Sequence, residues 1–444
     1  MFNIFRTLLM FKLKKYKLGE LIDVCRGTSL SGEYYATEGD LIRLTLGNFD
    51  YQGGGFKDNT SKNDLYFTGL VKPEFILSEG DIITPLTEQT PGLLGSTAMI
   101  PESGKYIQSQ DVALVTPDES KLDRNFCYYL LPSKIVKQQL AAGAQQTKIR
   151  HTTPDRIKDL TVFIPDLANQ KAIGQLLHDI DKKIALNREI NRNLEAMAHQ
   201  LYDYWFVQFD FPDENRQPYK SSGGKMVWNE KLKREIPEKW DAALMKDFLV
   251  IGNGKDHKGL ETGIYPVYGS GGLMRYVNDF LFSGESVLLP RKGSLSNFMY
   301  VNESFWTVDT MFYTKEKFRG AAKYIYYSMQ YVDITRYNSG TGVPSMTSIS
   351  YYAMPFVQPP QDILNLFDQE LTPWIMQSKR NEMEIERLRA LRDELLPLLM
   401  NGQVSVMQTA VNCDLFVLVE YQFAYCFSIS PIISFQFRIV INNI

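Results

Sequence analysis

The clearest alternation of apolar and polar positions lies in mid-chain, from Gln170 to Trp205. Ile173, Leu177, Ile180, Ile184, Asn187, Asn191, Leu194, Ala198, Leu201 and Trp205 follow one another by steps of four and three, the heptad spacing of a helix whose seam faces a partner. The rhythm returns in Leu371, Trp374, Ser378, Asn381, Ile385, Leu388, Arg392, Leu395 and Leu399. A shift of 194 positions lays Asn187 on Asn381, Leu194 on Leu388, Ala196 on Ala390 and Leu201 on Leu395, so the two helices are copies. Each seam turns polar in its middle, at Asn187 and Asn191 and again at Ser378 and Asn381. Antiparallel pairing brings these regions opposite one another, where the amides can satisfy each other and fix the register. The alternative is a pair of amphipathic helices, each lying on its own globular domain.

The segments around the helices also repeat. Residues 14–165 read as short strands between turns, among them LIRLTL (41–46), DIITPL (81–86) and DVALV (111–115), with Gly53, Gly54 and Gly55 opening a loop. A helix is predicted from Arg124 to Ala142, its Phe126, Tyr128 and Tyr129 assigned to core. Further on, TVDTMFY (307–313) repeats SQDVALV (109–115) at an offset of 198, which also lays Tyr128 and Tyr129 on Tyr326 and Tyr327. Gly143 meets Gly340, and Pro165 meets Pro360. Residues 206–236 read as an ordered connector, because Phe206, Phe209, Phe211, Tyr219 and Trp228 do not suit a flexible linker. The predicted order is a leader (1–13), a domain (14–165), a helix (166–205), the connector, a second domain (237–358), a second helix (359–403) and an atypical apolar tail (404–444). The fold expected is α+β, with two similar domains joined by two long antiparallel coiled-coil helices in a pseudo-twofold internal repeat.

Composition narrows the class. With 44% hydrophobic and 13% aromatic residues the chain is globular, and its 444 residues suffice for two or three cores. A net charge of −3 excludes a general basic coat. Residues 14–165 carry 17 basic and 19 acidic groups and residues 237–358 carry 12 and 11, so a polyanion would have to be met by local clusters. Cys25, Cys127, Cys413 and Cys426 form neither a CxxC pair nor a ligand set with the histidines, which fits a reducing cytoplasm and no metal. The opening MFNIFRTLLMF lacks a cleavage site and precedes its lysines, the reverse of signal-peptide order, and Met10 is an alternative start. The tail is aromatic and apolar, but Glu420, Gln422, Pro431, Gln436 and Arg438 interrupt any run of about 20 residues long enough to cross a membrane. The expectation is that the native chain ends near Val406, with an appendix beyond it.

Pro165, Asp166, Asp181 and Lys183 fit a loose PD…DxK nuclease pattern, in which carboxylates hold a metal. Asp181 and Lys183 lie within the heptad helix, however, and positions i and i+2 diverge there, so the match is assigned to coincidence. No methyltransferase tetrad, methyl-donor loop or Walker loop is present.

The stretch WFVQFDFPDENRQPYKSSGGKMV with EIPEKW (Trp205 to Trp240), the copied helices, and the terminal LRDELLPLLMNGQVSV (Leu391 to Val406) resemble the specificity subunit of type I restriction-modification enzymes. GNGKDHKG, YPVYGSGG, LLPRKGSLSN, FWTVDTMFY and SGTGVPS resemble a target-recognition domain of that family, and the likeness spans about residues 14–406. The leader and tail depart from the pattern. The resemblance implies a non-catalytic reader of double-stranded DNA. Each target-recognition domain would take half of a bipartite site, while the helices set the spacing and dock two methyltransferase subunits. Those partners would use S-adenosylmethionine, and motor-nuclease subunits would use ATP with Mg; this chain would bind no cofactor itself. A coiled-coil adaptor without DNA readout is the second class kept open.

Loops that present polar groups to base edges are then the candidate sites. In the first domain they are Gln145, Gln146, Thr147, Lys148, Arg150 and His151. In the second they are Lys255, His257 and Lys258, then Arg291, Lys292, Ser294 and Asn297, then Thr341 and Ser345. Glutamine and arginine suit bidentate base contacts, whereas lysine suits phosphate. For each residue taken singly, a solvated loop is the plain alternative.

Overall fold

The computed structural model describes residues 12–50, 54–88, 92–143, 150–338, 342–409, 415–421 and 436–441. The chain forms two compact units, residues 1–187 with 383–444, and residues 188–382.

In the first unit, four antiparallel strands run in the order Ile22–Arg26, Val112–Pro117, Ile82–Pro85, Ala98–Met99. Lys14–Lys17 pairs with Thr161–Ile164 beside them. Ile22, Val24, Ile82, Val115, Phe126, Leu130, Val136 and Val162 form the core with Ile173, Leu177, Ile180 and Ile184 of the central helix (Leu167–Tyr202) and Ile385, Leu395 and Leu399 of the distal helix (Gln361–Met400). The helix expected over Arg124 to Ala142 is two, Arg124–Leu130 and Lys134–Gly143. Pro132 separates them, since proline cannot donate to the preceding turn and its ring crowds that turn's carbonyls. Within this unit Asp181 meets Arg392 at 2.8 Å and Asn187 meets Glu384 at 2.9 Å. As one number rises the other falls, so the helices run antiparallel.

The second unit is built on a six-stranded sheet in the order Leu249–Asn253, Met311–Glu316, Phe282–Pro290, Met299–Thr307, Tyr265–Gly269, Gly272–Val277. Asp241–Leu244 pairs with Pro355–Gln358, as Lys14–Lys17 does with Thr161–Ile164. The helix Ala321–Met329 lies in the core with Ala198, Tyr202, Leu364, Phe367 and Leu371. Here the second polar pair of the seams closes: Asn381 Nδ2 donates to Asn191 Oδ1 at 2.7 Å, and Asn191 Nδ2 to the Ser378 carbonyl at 3.1 Å. Asn187 takes Glu384 as its partner rather than another amide. Leu201 and Trp374 are only half-buried and line an open groove of about 490 Å³ with Met197, Gln200 and Tyr204.

The heptad pattern outruns the regular helix by three residues, because Asp203–Val207 widens into a π-turn that seats Trp205 and Phe206 in the core. Phe211 stacks on Trp240 at 4.6 Å and on Tyr219 at 4.8 Å, which makes the connector part of the core. Trp228 is the exception, at 57% exposure. It lies opposite Glu235 on a two-stranded hairpin, where its Nε1 donates to Glu230 at 3.0 Å. In the tail, Val404–Thr409, Leu415–Tyr421 and Gln436–Ile441 pair as an antiparallel sheet, and Val404 reaches the first unit's core. Among the described residues no helix is long and apolar enough to cross a membrane.

Candidate nucleic-acid interface

Both units build the same small ledge at the end of a central strand. In the first, Pro85 stands opposite Val112, Leu86 N–H donates to the Asp111 carbonyl at 2.8 Å, and Thr152 N–H donates to the Leu86 carbonyl at 2.8 Å. Thr87 and Glu88 then pair with His151 and Arg150. In the second, Pro290 stands opposite Met311, Arg291 N–H donates to the Thr310 carbonyl at 2.8 Å, and Met346 N–H donates to the Arg291 carbonyl at 2.9 Å. A bridge between Lys292 and Ser345 completes the match. Each ledge is followed by a threonine-capped helical turn: Thr153 caps Pro154–Lys158 and Thr347 caps Ser348–Tyr352. Proline suits the strand end because its missing N–H is not required there.

Close backbone approach fixes the neighbouring loop in each unit. A Cβ on Gly27 would lie 2.3 Å from the Ser109 carbonyl oxygen, and one on Gly254 would lie 1.9 Å from that of Val308, so only glycine fits at either position. The next residues are held alike: Thr28 N–H donates to the Gln108 carbonyl and Lys255 N–H to that of Thr307.

In the second unit three of the residues expected from sequence, Lys255, Arg291 and Lys292, converge on the Thr307–Met311 turn. Lys255 lies on one side, and Arg291 and Lys292 both donate backbone N–H groups to Thr310 on the other. Asn297 Nδ2 donates to the Ser270 carbonyl at 2.9 Å, which joins the Ser294 loop to the 269–272 hairpin turn. Ser345 N–H donates to Asn338 Oδ1. Lys255, Lys258, Arg291 and Lys292 are exposed, with Asp256 and Asp309 the acids among them. Arg291 carries its guanidinium 5.7 Å from the Phe312 ring centre. His257 is half-buried, its Nδ1 unpartnered among the described residues, and Arg275 clasps that segment by donating to the carbonyls of His257 (2.6 Å) and Leu260 (2.8 Å). Thr341 lies outside the described residues.

In the first unit Gln145, Gln146, Thr147 and Lys148 also lie outside the described residues. His151 is exposed, and Arg150 Nη1 faces Glu88 Oε1 at 3.4 Å. Glu88 and Arg275 were not legible as site residues, because their partners come from elsewhere in the chain. The aligned Pro85 and Pro290 were the available signal.

The carboxylates of the nuclease-like pattern have other work. Asp181 accepts from Tyr129 Oη at 2.6 Å and from Arg392 at 2.8 Å, while Asp166 accepts the Asn169 N–H at 3.0 Å at the helix start. Burial, and after it the Asp181 charge, pushes the Tyr129 hydroxyl well above its usual range. No group of three or more metal-binding side chains occurs among the described residues.

Residues 11–196 match the family described as the type I restriction modification DNA specificity domain. The MjaIX specificity subunit of Methanocaldococcus jannaschii is 23% identical over 319 residues, covering 63% of this chain and 69% of that protein. The HindI specificity subunit of Haemophilus influenzae is 28% identical over 136 residues, 30% of this chain and 29% of its own length. A crystal structure of the type I restriction-modification S subunit from M. genitalium shares the fold, with a TM-score of 0.59, 17% identity and coverage of 88% and 96% of the two chains. The duplicated ledge and the family match together liken residues 11–196 to a type I restriction modification DNA specificity domain. Over the chain as a whole, the similarity is to specificity subunits of type I restriction enzymes.

Proposed function

We propose that this subunit reads a bipartite, asymmetric site on double-stranded DNA, one half with each ledge. The observation that carries this is the twofold construction of the ledge, with the same two hydrogen bonds at each strand end, a third that holds the neighbouring loop, and exposed cations at the rim of the second ledge. Arginine and asparagine are matched to base edges and lysine to phosphate. The chain is the non-catalytic member of its complex. Two methyltransferase subunits would supply S-adenosylmethionine and modify adenine, and motor-nuclease subunits would bring ATP and Mg for restriction, all in the cytoplasm where the DNA lies. No cofactor is assigned to this chain.

The paired helices would set the gap between the half-sites. A helix of 36 residues is about 54 Å long at about 1.5 Å per residue, against about 34 to 36 Å between adjacent major-groove half-sites. The outer helix faces, including the groove at Met197 and Tyr204, offer apolar surface for the methyltransferases. Retention of duplex DNA by the complex with methyltransferase tests the reading. Site-selective retention that falls steeply with salt is expected. The adaptor reading, favoured by the near-neutral charge of the domains, requires a stable complex that retains no duplex selectively.

A further inference from the structure

We infer that Glu88 is the positioning residue for Arg150, and that this pair reads a guanine in the half-site taken by the first unit; the inference rests on the DNA-reading role proposed above. The Glu88 side chain is only 4% exposed. Its Oε2 accepts the backbone N–H groups of Gly92 (3.0 Å), Leu93 (2.9 Å) and Leu94 (3.0 Å), so one oxygen is spent on holding a loop. Lys137 closes that loop from the other side by donating to the Gly92 carbonyl at 3.1 Å. The carboxylate is thereby fixed in place, and its free oxygen, Oε1, takes Arg150 Nη1 at 3.4 Å. The backbones of the two residues are paired as well.

Arg150 is therefore tethered at one nitrogen while 38% of its side chain stays exposed, and its other donors have no partner among the described residues. A guanidinium held in this way loses little rotamer freedom when its fork meets the O6 and N7 acceptors of guanine. The adjacent negative charge also offsets its long-range pull on phosphates, which favours base discrimination over general attraction. The equivalent pair in the second unit is Gly293, at a φ of 91°, and Pro344, with Gly293 N–H donating to the Pro344 carbonyl. The buttressed arginine thus belongs to the first ledge alone.

The test uses the complex with methyltransferase subunits and duplexes carrying its mapped site, each position of both half-sites changed in turn to the other base pairs. The wild-type complex is expected to prefer G·C at one first-half position by about tenfold or more, the scale of a good bidentate contact. Arg150→Lys keeps the charge and removes the fork, so it should flatten that preference. Glu88→Gln still offers an oxygen to the loop but turns an amide toward Arg150, so it should flatten the same preference, and Glu88→Gln with Arg150→Lys should add nothing further. Second-half preferences and the unfolding midpoint should not move. Uniform weakening across all duplexes by Arg150→Ala, with a salt slope shallower by about one contact, would make Arg150 a phosphate ligand and overturn the inference. A Glu88→Gln complex with a lower midpoint and intact preference would reduce Glu88 to loop support, which also overturns it. If the wild-type complex shows no half-site preference at all, the DNA-reading role itself fails, and this inference with it.

Discussion

Lys323 is 1% exposed, and its ammonium donates to Asp368, to Glu285 at 3.2 Å and to Thr372 Oγ1 at 3.0 Å. Arg319 donates to the second Asp368 oxygen at 2.7 Å. A buried charge is tolerable only while its partners remain, so Lys323→Met leaves Asp368 and Glu285 facing each other without their central cation. Loss of one partner from such a pair costs about 3 to 5 kcal/mol, and a denaturant midpoint for the intact chain measures it. Burial pushes the Asp368 carboxyl up, but the hydrogen bonds from Lys323 and Arg319 outweigh it and hold the group below its ordinary value of 3.8. The folded form thus binds the proton less readily than the unfolded one. Its contribution to stability is full above that ordinary value and is lost as pH falls through the lower folded value. Acid unfolding followed by far-UV circular dichroism should begin at higher pH in Asp368→Asn than in the wild type; superimposed curves would contradict this. None of this network is visible in sequence, since Lys323 and Asp368 are 45 residues apart and each alone reads as a solvated charge. The same limit hid Glu88, 62 residues from Arg150.

At the scale of elements, the seam asparagines were legible because the heptad rhythm carries on through them, and a polar residue at a buried position asks for a partner. Asn381 is 3% exposed and is bonded to both Asn191 and Gln377. Asn381→Leu should therefore cost about 1 to 3 kcal/mol by leaving the Asn191 oxygen unsatisfied. Asn191→Leu with Asn381→Leu should recover much of that loss, and a double-mutant cycle on thermal midpoints checks it; additive losses would contradict a shared hydrogen bond. From Arg124 the apolar periodicity runs on past Pro132, where the helical backbone cannot, so the pattern hides the break between two helices. The π-turn at Asp203–Val207 was not legible either, since it is dictated by the aromatic packing of Trp205 and Phe206 rather than by local preference. If the helices act as the spacer, four residues inserted after Asn193, about one turn or 5.4 Å, should lengthen the gap in the methylated motif and leave both half-sites intact. An unchanged gap would rule out the ruler.

For the whole molecule, the order of domain, helix, domain, helix is what internal similarity leads one to expect, because two copies of one sequence pattern must solve the same packing problem. The repeat shows in the aligned Pro85 and Pro290, in the Gly27 and Gly254 loops that admit no side chain, and in the Thr153 and Thr347 caps. The ledges themselves were only partly legible. Their cations stand out as residue types, but the strand pairing that gathers Lys255, Arg291 and Lys292 around one turn is long-range. A net charge of −3 also concealed the clusters, because the acids are spread over the rest of each unit. The most direct test of bipartite DNA reading is a methylation map of DNA from cells that co-express this chain with the methyltransferase proposed as its partner, set against cells holding the methyltransferase alone. A new motif of two short, unlike half-sites around a fixed gap, methylated at adenine, is expected. Identical maps from the two cultures, with the subunits shown to assemble, would contradict it.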